Sequence, residues 1–210
     1  MRIALIHALR HSPPPVEASF ARLWPEAALM NLLDDSLSAD LARDGALTPA
    51  MTDRFLTLAR YAVGTGADAI LFTCSAFGPC IEAVAAEHPT LPVLKPNEAM
   101  VADAAAIGGR IGLLATFPPT LASMPAEFPA SVTLVPQLAG GALDALNRGD
   151  PDRHDDLAAL AARNLTDCDV IALAQFSLAR AAPRVAAATG KRVLTTPDSA
   201  VLALKARLGR

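Results

Sequence analysis

The 210-residue sequence predicts an α/β protein built from two similar, doubly wound parallel-sheet domains. The first observation behind this prediction is that short apolar runs alternate, along the whole chain, with longer Ala- and Leu-rich stretches of helical spacing. Strands that alternate with helices form parallel sheets with right-handed crossovers. The second observation is an internal repeat, because the order of elements in one half of the chain recurs in the other half.

The predicted elements follow one another in a regular order. The apolar runs that predict strands are Arg2–Ile6, Ala27–Leu33, Asp68–Phe72, Leu91–Leu94, Arg110–Leu114, Val132–Val135, Asp169–Leu173 and Arg192–Leu194. The stretches that predict helices are Val16–Leu23, Pro49–Val63, Pro79–Glu87, Asn97–Ala106, Thr120–Met124, Leu138–Leu146, Asp152–Leu165, Leu178–Ala188 and Asp198–Leu208. A proline or a capping side chain is favoured at a helix start, and such residues stand at four of the predicted starts: Pro49, Asn97, Asp152 and Asp198. The polar span 34–48 predicts a loop with a short helix.

The internal repeat is visible when the sequence is laid on itself. A shift of 101 residues aligns residues 68–100 with residues 169–201 without a gap, and it places Asp68 on Asp169 and Pro96 on Pro197. Matched alanines carry little weight in an Ala-rich chain, whereas the Asp and Pro matches are less common by chance. We therefore predict a duplicated half.

A duplicated α/β half predicts two domains. We expect the first to comprise residues 1–98 and 198–210, and the second to comprise residues 99–197. Two such halves usually face each other across a ligand-binding cleft. The last predicted helix takes the place in the repeat that Asn97–Ala106 takes in the first copy, so we expect it to pack on the first half.

Composition and charge exclude several classes of protein. Hydrophobic residues make up 52% of the chain and charged residues 19%, which excludes disorder. No apolar run approaches the ~20 residues of a membrane-spanning helix. The net charge of −3 predicts no nucleic-acid or membrane partner. The first apolar run is too short for a secretion signal, and the three cysteines lack the spacing of a disulfide framework or a zinc site. We expect a cytoplasmic protein without a bound metal.

The most informative stretch runs from Asp68 to Gly78. An apolar strand ends in Thr73, Cys74 and Ser75, and a helical pattern opens just after them. Ligands of open parallel sheets bind at the carboxyl ends of the strands. Helix N–H groups at this point are expected to favour the thiolate of Cys74, which can then act as a base or a nucleophile. The alternative is a small buried cysteine with no chemical role.

Polar residues follow other predicted strands as well. His7 ends the first strand, next to Cys74 if the two strands are neighbours, and it can orient the thiol, accept its proton or serve the opposite face of a substrate. The hydroxyl groups of Thr73, Ser75, Thr116 and Ser177 can hold a carboxylate together with backbone N–H groups, although N-capping uses the same residue types.

The other histidines and cysteines are assigned structural roles. His11, in a proline-rich loop, and His88 and His154, on helical surfaces, are expected to be solvated. Cys80 is expected in the core. Cys168 precedes a strand, at the end of the sheet opposite the predicted site.

The sequence resembles the aspartate/glutamate racemase superfamily, which includes hydantoin racemases, maleate isomerases and arylmalonate decarboxylases. The segments that carry the resemblance are 66–75, 91–94, 110–116 and 169–174. The resemblance implies two similar α/β domains that hold a small carboxylate substrate without a metal, nicotinamide or pyridoxal cofactor. Racemases that use two bases take one cysteine from each half. Cys74 matches the first cysteine, but Gln175 stands where the second is expected, and glutamine cannot exchange a proton at neutral pH.

Three functions follow from this resemblance. The first is a cofactor-independent racemase or isomerase acting next to a carboxylate, with Cys74 as one proton carrier and His7 or a water molecule as the other. The second is a decarboxylase of a malonate-type acid, which needs a single thiol. The third is a carboxylate-binding protein that has lost turnover, which would account for Gln175 in place of the second cysteine. In its own right, Gln175 is a candidate substrate-binding residue, because its amide can donate to a substrate oxygen. The sequence leaves open whether the chain forms a homo-oligomer.

Overall fold

The computed structural model describes residues 1–209, which form two compact units. The first unit comprises Met1–Pro96 and Ala200–Arg210, and the second comprises Asn97–Ser199. The strands are β1 Arg2–His7, β2 Ala28–Leu33, β3 Ala69–Phe72, β4 Val93–Leu94, β5 Arg110–Ala115, β6 Thr133–Leu138, β7 Val170–Leu173 and β8 Arg192–Thr195. The α-helices are α1 Pro13–Leu23, α2 Ser36–Asp44, α3 Pro49–Gly64, α4 Gly78–Glu87, α5 Glu98–Ile107, α6 Pro118–Ser123, α7 Ala142–Asn147, α8 Pro151–Ala162, α9 Ala182–Thr189 and α10 Thr196–Arg207.

The first unit is built on a parallel four-stranded sheet in the order β2-β1-β3-β4. β1 and β3 occupy the middle, and five of the six residues of β1 and all four of β3 are buried because helices cover both faces of the sheet. Three phenylalanines join the helices to the sheet: the ring of Phe55 on α3 lies 5.2 Å from that of Phe72 and 4.9 Å from that of Phe77. This packing anchors the segment that follows β3.

The second unit repeats the same arrangement. Its parallel sheet has the order β6-β5-β7-β8, with β5 and β7 in the middle. The pairing of β5 with β7 sets Leu114 beside Leu173, as the pairing of β1 with β3 sets Ile6 beside Phe72. The two sheets with flanking helices confirm the predicted α/β fold class.

The repeat explains why an aspartate stands before the third strand of each unit. The Asp68 carboxylate accepts a hydrogen bond of 2.7 Å from the N–H of Arg2, and the Asp169 carboxylate accepts one of 2.8 Å from the N–H of Arg110. Each aspartate therefore ties the start of one central strand to the start of the other.

Several predicted element boundaries are wrong. α1 begins at Pro13 rather than at Val16, because prolines are tolerated in the first turn, where the N–H groups need no partner within the helix. Leu138 ends β6 instead of starting a helix, and α7 begins at Ala142. The stretch predicted as one helix after β7 is a 3-10 helix, Phe176–Ala181, followed by α9.

The helix caps also differ from the prediction. Asp150, not Asp152, caps α8 by accepting a hydrogen bond from the N–H of Arg153. Thr195, just before α10, accepts a hydrogen bond from the N–H of Asp198. Asn97 precedes α5 but makes no capping hydrogen bond with its side chain. In residues 1–209, no helix is both long enough and apolar enough to cross a bilayer.

Candidate active site

The carboxyl ends of β1 and β3 bring three of the predicted site residues together in the first unit. His7 is the last residue of β1, and Thr73 and Cys74 follow β3. The Thr73 N–H donates to the carbonyl of Ile6, which continues the strand pairing and sets Thr73 beside His7. Ser75 opens a 3-10 turn, Ser75–Phe77, and is partly exposed.

His7 is buried and both of its ring nitrogens have partners. Nδ1 lies 2.9 Å from the hydroxyl oxygen of Thr73, and Nε2 lies 2.9 Å from Oδ1 of Asn31 on β2. The Nδ2 group of Asn31 donates in turn to the carboxylate of Glu17 on α1, at 2.7 Å. Desolvation by burial lowers the pKa of His7, and it outweighs Asn31 and Glu17, which favour the charged ring. The ring is therefore neutral at pH 7.

Cys74 has an intermediate exposure and two polar neighbours. Burial within the surrounding protein has the largest effect and raises the pKa of the Cys74 thiol. Hydrogen bonds with the N–H of Ala76 and the hydroxyl of Ser38 act in the opposite direction. The expected N–H contact is thus present, but the expected shift toward the thiolate is reversed. Cys74 rests as a thiol at neutral pH.

Ser38 is a neighbour of the thiol that the sequence did not indicate. It lies on α2, within the span predicted as a loop with a short helix. Its single hydroxyl hydrogen can go either to the carbonyl of Ala8, 2.9 Å away, or to a Cys74 thiolate. Asn31, a partner of His7, was also missed, although the sequence carries a clear signal for it: it interrupts an otherwise apolar strand, Ala28–Leu33. Its side-chain oxygen lies 2.9 Å from Nε2 of His7.

The second unit places Thr116 and Gln175 together at the equivalent strand ends. Thr116 follows β5, and Gln175 holds the position after β7 that Cys74 holds after β3. Oε1 of Gln175 accepts from the N–H of Thr116 at 2.6 Å and from its hydroxyl at 3.0 Å. Because a backbone N–H can only donate, the amide oxygen must face Thr116, and Nε2 points elsewhere. Ser177 is buried in the 3-10 helix that follows.

The remaining cysteines lie in the cores of the two units. Cys80 on α4 is fully buried, with its sulfur 3.4 Å from the hydroxyl of Thr52. Cys168 is buried just before β7, at the end of the sheet opposite Gln175. Both fit the structural roles that the sequence suggested.

His154 corrects one prediction. Instead of being solvated it is fully buried, and its Nδ1 lies 2.8 Å from the carboxylate of Asp155, which also accepts from Arg180 at 2.9 Å. The Nε2 of His154 has no hydrogen-bond partner within residues 1–209. His11 precedes Ser12, the N-cap residue of α1, and is only partly exposed, and His88 is also partly exposed.

No cluster of three or more His, Cys, Asp or Glu side chains suited to a metal ion occurs in the described part of the chain, residues 1–209. The strand ends of the first unit offer one thiol, one neutral imidazole and hydroxyl groups, and the thiol can deliver one proton. Those of the second unit offer hydroxyl groups and one carboxamide, which can hydrogen-bond a carboxylate.

A profile of the family described as Asp/Glu/hydantoin racemase matches residues 16–204. This match confirms the resemblance predicted from the sequence. A comparison with curated protein sequences found no match.

Solved structures share the fold. The glutamate racemase RacE1 from Bacillus anthracis superposes with a TM-score of 0.72 at 12% identity, over 99% of this chain and 81% of that chain. The allantoin racemase from Klebsiella pneumoniae gives 0.69 at 16% identity, over 100% and 88%. A cysteine-for-glycine mutant of arylmalonate decarboxylase gives 0.65 at 21% identity, over 98% and 92%.

Proposed function

Because the chain belongs to the Asp/Glu/hydantoin racemase family, we propose that it is a cofactor-independent enzyme that acts at the carbon next to a carboxylate, with Cys74 as its proton carrier. The observation that carries the proposal is the place of Cys74, a partly exposed thiol directly after a central strand. Ligands of open parallel sheets bind at this end of the strands. Removing a group from the carbon next to a carboxylate makes an enediolate, which the thiol can protonate.

The resting protonation state of Cys74 favours a role as an acid. Burial raises the pKa of its thiol, so the proton is present before the reaction begins. A two-base racemase needs one thiolate and one thiol, and Gln175 holds the position of the second carrier. An amide neither gives nor takes a proton at neutral pH. The site therefore supports chemistry with a single proton carrier.

Decarboxylation of a malonate-type acid fits this set of groups best. The bond between the central carbon and one carboxylate breaks, its electron pair stays on the remaining fragment as an enediolate, and carbon dioxide leaves. The Cys74 thiol then gives its proton to the carbon and takes one back from water. Protonation from one side yields one enantiomer of the product.

Racemisation or isomerisation is the second candidate, and membership of a racemase family favours it. It requires a second proton carrier, for which His7 or a water molecule is available. His7 is less suited to direct contact with a substrate, because both ring nitrogens are engaged with Thr73 and Asn31. We propose that His7 orients the strand end rather than carrying the proton itself.

We propose that each unit contributes its own hydrogen-bond donors for carboxylates. Nε2 of Gln175 can donate to a substrate oxygen, since its Oε1 is held by Thr116. Ser75 offers a partly exposed hydroxyl beside the N–H groups of a 3-10 turn. Thr73, Thr116 and Ser177 are mostly buried, and we propose that they shape the strand ends around these donors.

The test measures both reactions on the same protein. The purified enzyme is incubated in deuterium oxide with disubstituted malonates and, separately, with single enantiomers of small 2-amino and 2-hydroxy acids. Carbon dioxide release and one-sided deuterium incorporation support the lyase. Exchange at the centre of a single enantiomer, with loss of optical activity, supports the racemase instead.

Matched variants identify the proton carrier. Cys74→Ser is expected to lower kcat by at least about 100-fold, the size of a general-acid contribution. Cys168→Ala, which removes a buried thiol from the other end of the sheet, is expected to keep the activity. Full activity of Cys74→Ser would contradict the proposal. Binding of dicarboxylates without any turnover by the unmodified protein would indicate a binding protein instead.

A further inference from the structure

The donor and acceptor roles in the chain of hydrogen bonds around His7 can be assigned from chemistry alone. A carboxylate only accepts, so the atom of Asn31 that faces Glu17 is the Nδ2 group. The other amide atom, Oδ1, then faces Nε2 of His7 and must accept from it. Nε2 consequently carries a hydrogen.

The remaining bond of the chain follows from the neutral state of the ring. An imidazole that holds its hydrogen on Nε2 has a lone pair on Nδ1, so the hydroxyl of Thr73 donates to it over 2.9 Å. The carbonyl of Ile6, at 3.4 Å, is a more distant acceptor for the same hydroxyl. The order of donors runs from Thr73 to His7 to Asn31 and from Asn31 to Glu17.

We propose that Asn31 and Glu17 are positioning residues of the Cys74 site, which place the hydrogen of the His7 ring on Nε2 and thereby fix Thr73, the residue before Cys74, as a donor to Nδ1 of that ring. The inference rests on the proposed function, from which it takes the role of Cys74 as the proton carrier. Its consequence is that the ring in contact with Thr73, the residue before Cys74, carries no positive charge that would favour the thiolate.

The charges around His7 agree with this assignment. Glu17 on α1 is the charged group that acts on the ring, while β2 contributes the uncharged Asn31 and β3 the uncharged Thr73. The amide of Asn31 separates the carboxylate from the imidazole. If a carboxylate touched Nε2 directly, it would stabilise the imidazolium, as an opposite charge in contact does.

The test exchanges the two groups. The double substitution Glu17→Gln with Asn31→Asp keeps one amide, one carboxylate and the net charge, but it places the carboxylate against Nε2. We expect nitrogen NMR to show the Nε2–H tautomer of His7 in the unmodified protein at pH 7 and the imidazolium in the double variant. Alkylation of Cys74 at pH 7, followed by peptide mass spectrometry, should become at least about threefold faster, because a positive charge favours the thiolate.

Two single substitutions serve as controls. Glu17→Gln replaces the carboxylate by an amide that can donate as well as accept, so Asn31 can turn its Nδ2 toward the ring and the Nδ1–H tautomer should gain population. The alkylation rate of Cys74 should stay unchanged, because the ring gains no charge. Asn31→Leu removes the acceptor for Nε2, so the Nδ1–H tautomer should become populated without any change in charge. If the double variant does not fold, Asn31→Leu alone tests the tautomer.

The outcomes distinguish this inference from the proposed function. An imidazolium or an Nδ1–H tautomer in the unmodified protein would overturn the assignment. A protonated His7 in the double variant with an unchanged alkylation rate would overturn the link to Cys74. Neither the tautomer nor the alkylation rate depends on turnover. The proposed function is tested separately, because full activity of Cys74→Ser would contradict it.

Discussion

At the scale of single residues, the chemistry of Cys74 reflects a balance between solvent loss and hydrogen bonding. Burial raises the pKa of the thiol, and contacts with Ala76 and Ser38 lower it. Burial prevails because a thiolate loses more hydration than two donors replace. The same balance applies to His7, whose burial keeps the ring neutral. Both groups therefore rest uncharged.

The first prediction concerns the hydroxyl of Ser38. Ser38→Ala removes a hydrogen bond that favours the thiolate, so the pKa of Cys74 should rise further. The alkylation rate of Cys74 at pH 8 should fall about three- to tenfold, since one pKa unit is a tenfold change. Ser36→Ala is the matched control, because that hydroxyl of α2 donates to Asp34 instead. An equal effect of both variants would show that the helix, not the hydroxyl, controls the thiol.

The second prediction concerns pH and His7. The pKa of His7 is lowered in the folded state, so between the two pKa values the unfolded chain binds the extra proton. The contribution of neutral His7 to the free energy of unfolding is therefore fully present above the unfolded pKa of about 6.5. It falls as the pH drops below that value, by up to about 1.4 kcal/mol per pH unit. Urea unfolding of the unmodified protein and of His7→Gln at pH 7.5 and 5.5 measures this loss. The variant should lose less stability than the unmodified protein over that range.

At the scale of elements, each unit ties its two central strands together at their starts. Asp68 and Asp169 accept from the first N–H groups of β1 and β5. The Asp169 carboxylate packs so closely on Gly109 that an added Cβ would lie 2.2 Å from its Oδ2. Gly109 also has a φ of +74°, in the left-handed region. Only glycine suits this position.

The third prediction follows from that contact. Gly109→Ala should destabilise the protein by about 2 kcal/mol or more, because backbone strain and a steric clash add. Gly190→Ala is the control, since Gly190 has a φ of +68° but no neighbour within 4 Å of an added Cβ, and it should cost about 1 kcal/mol. When Asp169 is also replaced by alanine, Gly109→Ala should lower the free energy of unfolding by about as little as Gly190→Ala does. If the losses of unfolding free energy caused by Gly109→Ala and Asp169→Ala simply add in the double variant, a clash between the two residues is excluded.

At the scale of the whole molecule, the chain returns to its first unit after completing the second. The division between the units falls within α10, whose residues from Ala200 onward belong to the first unit. Val201 and Leu204 are fully buried, and Nζ of Lys205 donates to the carbonyl of Leu23 at 3.0 Å. The first unit therefore depends on both ends of the chain.

The fourth prediction tests that dependence. Deleting residues 200–210 removes two buried aliphatic side chains worth about 1.5–3 kcal/mol each. Because domains are stable by only about 5–15 kcal/mol, amide protection in residues 1–96 should fall markedly. Hydrogen exchange with mass spectrometry reads both units at once, and β5 to β8 should keep their protection as an internal control. Unchanged protection of β1 and β3 would show that α10 is dispensable.

The sequence alone was sufficient to determine the fold class and the family, and it placed His7, Thr73 and Cys74 at strand ends. Periodicity and composition are local properties, and they identify a buried strand such as Ala69–Phe72 without knowledge of its neighbours. The predicted boundaries failed where local signals conflict, as at Leu138, which is compatible with both a strand and a helix.

The tertiary structure decided what those side chains contact. Ser38, Asn31 and Glu17 lie far from Cys74 or His7 in the chain, and only the folded unit brings their polar atoms within hydrogen-bonding distance. Burial, which reverses the expected shift of the Cys74 pKa, is likewise a sum over residues distant in sequence. Hydrogen bonds and desolvation depend on distances between such residues, and periodicity along the chain carries no information about them.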